Sequence, residues 1–148
     1  MVNLSAPDLT QFPPRSTRVR LGGYAHLPRL LDKARAHLAG KNGEYHYNCP
    51  LDQVFFAFTG IDAEALLATL KAGKSDSEML AWVGTQTKRT AAETIQWSAW
   101  FETHGARSAG SHAWFSERIK AMAAEREDIK SYADLLDLDD YVTFGGKG

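Results

Sequence analysis

Cysteine is nearly absent from this chain: Cys49 is the only one in 148 residues. One thiol cannot close an intramolecular bridge, so a disulfide-stapled scaffold is excluded, and Cys49 is a free thiol, a metal ligand or an intermolecular partner. That pattern favours a reducing compartment, and the cytoplasm is the expected location. Long apolar runs are missing as well. Nowhere do 18 apolar residues follow one another, and the opening Met1-Val2-Asn3-Leu4-Ser5 lacks a basic region leading into an apolar core, so neither a membrane partner nor a secretory signal is expected. Net charge is close to nil, at -1 with a pI near 6.5, and without a basic balance nucleic acid is not an expected partner. No second cysteine, His-Glu-x-x-His or regular oxygen loop accompanies His46-x-x-Cys49, so no metal or cofactor is expected.

The charge that is present is unevenly placed. Up to Lys41 there are seven basic residues and two acids, Asp8 and Asp32; the acidic remainder of the chain is expected to neutralise them or to leave a basic surface for an anionic ligand. Residues 1–17 hold Pro7, Pro13 and Pro14 and read as an extended leader anchored by Leu9 and Phe12. Thr17 to Leu21 alternates polar and apolar and reads as a short strand ended by Gly22-Gly23. Leu27, Leu30, Leu31, Ala34 and Leu38 then share one face of a helix over Leu27 to Ala39, with Pro28 in its first turn and Gly40 as its stop. Arg29, Asp32 and Lys33 occupy the opposite face.

Four further helices follow from caps and periodicity. Pro50 opens one that runs to Gly60, apolar on most sides. Asp62 caps Ala63 to Ala72. Ser75-x-x-Glu78 and Thr90-x-x-Glu93 both fit the reciprocal capping box, each with a tryptophan four residues after its glutamate. A sixth helix is expected from Ser111 to about Glu127 with Trp114, Phe115, Ile119 and Met122 inward, and Ser131 caps a last one carrying Leu135, Leu136 and Leu138. The tail 141–148 adds a strand or frays. The expected fold is all-α or nearly so: a single-domain bundle of about six or seven short helices over 1–148, with at most two or three strand fragments.

Chemistry concentrates in residues 43–53, Gly-Glu-Tyr-His-Tyr-Asn-Cys-Pro-Leu-Asp-Gln. With Pro50 as first helical residue, Cys49 is the N-cap, where free amide donors favour negative charge on sulfur. His46 is the candidate base and Asp52 the third member of a relay; the plain alternative is a small buried hydrophobe. Upstream, Arg29, Lys33 and His37 recur at i, i+4 and i+8, a cationic stripe suited to a carboxylate or phosphate or, equally, a solvated face. Trp97, Trp100 and Phe101 share a face suited to helix packing.

Taken in order, Pro14-Arg15-Ser16, Leu21-Gly22-Gly23-Tyr24, His26-Leu27-Pro28-Arg29, Asp32-Lys33-Ala34-Arg35-Ala36, Gly43-Glu44-Tyr45, Cys49-Pro50-Leu51-Asp52 and Gly60-Ile61-Asp62 resemble a bacterial family catalogued as domain of unknown function 5069. The likeness covers roughly Phe12 to Trp82. It implies a bacterial source and carries no activity and no site residue with it.

Three functions remain open. The first is binding of a small anionic or polar ligand, such as an anionic metabolite, in a cleft between the first helix and the 43–53 loop, with Arg29 and Lys33 holding negative charge and Tyr24, His26, Glu44, Tyr45 and His46 orienting the ligand. The second is a thiol-dependent enzyme with Cys49 as nucleophile and His46 or His26 as base. The third is an interaction protein that forms a homodimer through its tryptophan-bearing helices.

Overall fold

Pro28 lies in the first turn of the helix around which the rest of the chain is arranged. In the computed structural model, which describes residues 5–148, this helix, α1, spans Leu27–Leu38. Before it, β1 (Arg20–Leu21) and β2 (Tyr24–Ala25) pair antiparallel across Gly22-Gly23, both with positive φ, the backbone that a tight two-residue hairpin turn requires. The expected strand over Thr17 to Leu21 is thus reduced to its last two residues. Thr17 instead turns inward, and its carbonyl accepts from the His26 N–H at 2.9 Å.

Six helices follow: α2 (Pro50–Thr59), α3 (Ala63–Leu70), α4 (Asp76–Gln86), α5 (Ala91–Thr103), α6 (Ala109–Ala123) and α7 (Tyr132–Thr143). The fold is therefore mainly helical, as the periodicity requires. The caps are where the sequence puts them: Asp62 accepts from Ala65 N–H, and Ser75 with Glu78 and Thr90 with Glu93 close reciprocal boxes. No single helix among the described residues is long and apolar enough to cross a membrane.

Three expectations are corrected. α6 begins after Ser108, not at Ser111, and ends at Ala123. Its Trp114 is 52% exposed, because Phe115 faces inward and neighbouring residues on a helix point about 100° apart. The tail neither frays from Tyr141 nor forms a strand there, since α7 continues to Thr143. The third correction concerns α1. Every residue from Leu27 to Ala36 is buried, so its charged side faces protein rather than water. Each charge there meets an opposite charge from another segment: Arg29 with Asp140 of α7 (2.7 Å), Asp32 with Arg15 (2.9 Å), Lys33 with Asp52 of α2 (2.8 Å) and Arg35 with Asp76 of α4 (2.7 Å). Buried pairs of this kind add little net stability over apolar packing, but removing one partner is costly, so they hold each segment in one register.

Two apolar clusters result. The larger joins Leu27, Leu30, Leu31, Phe55, Leu66, Met79 and Val83 from α1 to α4; the smaller joins Phe115, Ala123, Ile129, Leu135 and Leu138 from α6, α7 and the segment between them. A file of rings bridges them, with centroids 5.0 Å apart for Trp97 and Phe101, 5.2 Å for Phe101 and His104, 5.2 Å for His104 and Tyr132, and 5.8 Å for Tyr132 and Phe115. Gly105 permits this junction: a β-carbon there would meet the Lys130 carbonyl oxygen at 2.7 Å, and the adjacent Tyr132 N–H donates to the His104 carbonyl at 3.0 Å.

Candidate functional site

Asp52 is the most heavily used carboxylate near the reactive loop. It lies in the first turn of α2 and is fully buried. One oxygen accepts from His26 Nε2 at 2.7 Å. The other accepts from Lys33 Nζ at 2.8 Å and from the backbone N–H groups of Asn48 (2.9 Å) and Cys49 (3.3 Å). Burial opposes ionisation of Asp52, but the His26 hydrogen bond and the Lys33 charge more than offset it and hold the carboxyl down at about 2.

An ionised carboxylate can only accept, so His26 Nε2 carries the proton and Nδ1 is left as an acceptor for the Thr17 hydroxyl at 2.7 Å. Burial keeps this imidazole neutral, pushing its pKa below 6.5 against the pull of Asp52. With both ring nitrogens engaged and the side chain buried, His26 is not placed to act as base for Cys49.

Lys33 is the link to the thiol. Its three ammonium protons serve Asp52, the His46 carbonyl (3.1 Å) and Cys49 Sγ (3.2 Å). Sulfur thus sits at the N-cap of α2, half-buried, with a fixed cation beside it. The proposed relay through His46 does not form: Asp52 is directed to His26 and Lys33, and the His46 side chain is exposed.

Of the remaining expected residues, Arg29 and Tyr45 meet on one carboxylate. Arg29, 3% exposed, makes two bonds to Asp140, at 2.7 and 3.1 Å, and lies 5.5 Å from the Tyr45 ring centroid. Tyr45 donates to the same carboxylate at 2.8 Å, and burial together with that bond raises its pKa. Tyr24 is a core residue, edge-on to Phe55, and Glu44 is exposed on the loop. Two members of the basic stripe of α1, Arg29 and Lys33, are consequently paired with the chain's own acids, while the third, His37, is exposed with its ring 6.1 Å from that of Tyr47.

One concavity lies on the other side of Cys49. A cleft of about 640 Å³ opens between the start of α2 and the start of α6. Cys49, Pro50, Leu51 and Val54 form one wall, Arg107, Ser108, Ser111 and Trp114 the other, and His104 and Tyr132 come from the ring file that joins the two clusters. Burial lowers the pKa of His104, and its Nδ1–H donates to the Phe101 carbonyl at 2.7 Å. Sequence reasoning missed this wall. Gly105-Ala106-Arg107-Ser108 carries no motif, and only tertiary packing brings it opposite Cys49.

This network makes stability acid-sensitive in two stages. His26 and His104 bind protons more weakly folded than unfolded, so stability falls as pH drops below 6.5. Asp52, Asp76 and Asp134 have lowered pKa values, and their contribution is lost as pH falls from the ordinary 3.8 towards about 2. Scanning calorimetry should show the midpoint temperature declining between pH 7 and 5 and again below 4; a flat profile from 7 to 5 would contradict the neutral, buried His26.

Among known proteins, the family model described as "Domain of unknown function (DUF5069)" matches residues 11–142. No curated protein matches the chain.

Proposed function

We propose, for a chain that belongs to the DUF5069 family, that it binds a small organic molecule with an apolar body in the cleft between α2 and α6, where Cys49 faces the bound ligand. The observation that carries this reading is the cleft itself. Its volume is that of a small-molecule site, and Pro50, Leu51, Val54 and Trp114 offer apolar surface beside a few polar groups. The exposure of Trp114 also has a use here, since a bound molecule would cover part of its indole. A bacterial cytosolic setting goes with the proposal, supported by the family resemblance and by an unpaired thiol that a reducing compartment keeps reduced.

A second reading is favoured by one contact. Lys33 Nζ donates to Sγ at 3.2 Å and fixes the sulfur at the edge of the cleft, where Cys49 would react with its ligand rather than merely touch it. The two readings share a site and differ in what Cys49→Ser does: binding survives in the first, and covalent chemistry is lost in the second.

A thermal-shift panel of compounds with aromatic or alicyclic bodies at millimolar concentration tests the site. Compounds that bind should raise the midpoint of the wild type and of Cys49→Ser, but not of Leu51→Trp, whose larger side chain fills the cleft. No stabilisation of the wild type, or equal stabilisation of Leu51→Trp, would remove the proposal.

A further inference from the structure

Eight of the nine arginines in this chain have a carboxylate within 4 Å: Asp32 or Asp76 for Arg15 and Arg35, α7 acids for Arg18 and Arg29, and local or cross-helix acids for the other four. Arg107 is the exception. Its side chain makes no hydrogen bond or ion pair with the described residues, and its guanidinium rests 5.6 Å from the Trp100 ring centroid. Such stacking holds the planar fork in place while leaving its N–H edge free for an anion.

Its position gives the exception a meaning. Arg107 stands between two concavities: a groove along α5 lined by Trp100, Arg89 and Glu93, and the neighbouring α2–α6 cleft, which no aspartate or glutamate lines. His104, the other titratable nitrogen base there, is neutral at pH 7 because burial disfavours its charged form. In a chain of net charge -1, where other guanidiniums are neutralised internally, this cleft keeps one uncompensated cation beside an apolar wall. The Ser108 and Ser111 hydroxyls lie in the same wall as hydrogen-bonding groups.

We infer that the ligand of this cleft carries an anionic group, a carboxylate or a phosphate-type oxyanion, at one end of its apolar body, and that Arg107 is the residue that recognises it. The inference rests on the cleft being the binding site and adds the charge of its ligand. Arg107 fixes the orientation: with the anion on the guanidinium, the apolar body extends along Leu51 and Val54 towards Cys49.

The single thiol provides the readout. The rate of Cys49 modification is measured with N-phenylmaleimide and with its 4-carboxy and 4-phosphono derivatives, each divided by the rate with N-acetylcysteinamide. The acid-bearing reagents should gain about tenfold over the neutral one in the wild type, the size expected of one charge-assisted contact. Arg107→Gln should abolish the gain, taken within each protein as the ratio of the acid-bearing to the neutral reagent's rate, and 1 M salt should reduce it. The acid with the larger gain identifies the anion as carboxylate or phosphate-like. Equal corrected rates for all three reagents in the wild type, or a gain that persists in Arg107→Gln, would overturn the inference. Failure of the cleft itself looks different: Leu51→Trp would then leave the neutral reagent's rate unchanged.

Discussion

Asp52→Ala should destabilise the fold by about 3–5 kcal/mol, the cost of leaving a buried charge without its partner. The carboxylate serves three structures at once. It is the counter-ion of Lys33, the acceptor for His26 Nε2 and the acceptor for two backbone N–H groups at the start of α2. Its removal leaves an ammonium that is 3% exposed and an imidazole that is 1% exposed, neither able to reach water without moving α1. Domains of this kind are stable by about 5–15 kcal/mol, so the variant would sit near the edge of folding. A drop of roughly 10 °C in midpoint is the corresponding thermal effect. Urea unfolding followed by circular dichroism measures it, and a loss below about 1 kcal/mol, the range of exposed ion pairs, would mean the network is solvated.

Asp140→Ala should cost a similar amount, about 3–5 kcal/mol, for the same physical reason. Asp140 holds Arg29 through two bonds and takes the Tyr45 hydroxyl as a third, so one carboxylate docks α7 onto both α1 and the reactive loop. The double variant Arg29→Met with Asp140→Leu separates geometry from charge. Replacing both partners by apolar groups of similar volume should recover most of the loss, since buried pairs are close to neutral against apolar packing. A double variant as unstable as Asp140→Ala alone would assign the effect to the Tyr45 bond instead.

Both effects arise on α1, the place where pattern reasoning and the structure differ most. Helix boundaries were readable because their causes are local: Pro28 and Pro50 at helix starts, Asp62 as a cap, Ser75 with Glu78, Thr90 with Glu93. The burial of α1 was not readable. A face bearing Arg29, Asp32 and Lys33 has the same sequence pattern whether it meets water or a shell of opposite charges from 17 to 111 residues away along the chain, and periodicity cannot tell the two apart. The uneven charge before and after Lys41 was the trace of that shell: the acidic remainder neutralises part of the basic segment in contact, through Asp52, Asp76 and Asp140.

The site was legible in part. Cys49 as the N-cap of α2 followed directly from Pro50. Its partners did not follow, because His46 is adjacent in sequence but exposed, whereas Lys33 and His26 reach the same pocket of charge from α1. Trp114 read as an inward residue because it is large and apolar; its neighbour Phe115 takes that position and leaves the indole at the cleft. Arg107 had no signal at all, since its distinction is the lack of an ion pair among the described residues, which only the folded chain reveals.

The measurement closest to the central claim is where a stabilising compound acts. In a titration followed by amide nitrogen and proton shifts, the account predicts that the largest changes map to residues 49–54 and 104–114, with the Trp114 indole N–H among them. Changes centred instead on α1 and residues 43–48, with the 104–114 segment unmoved, would contradict it.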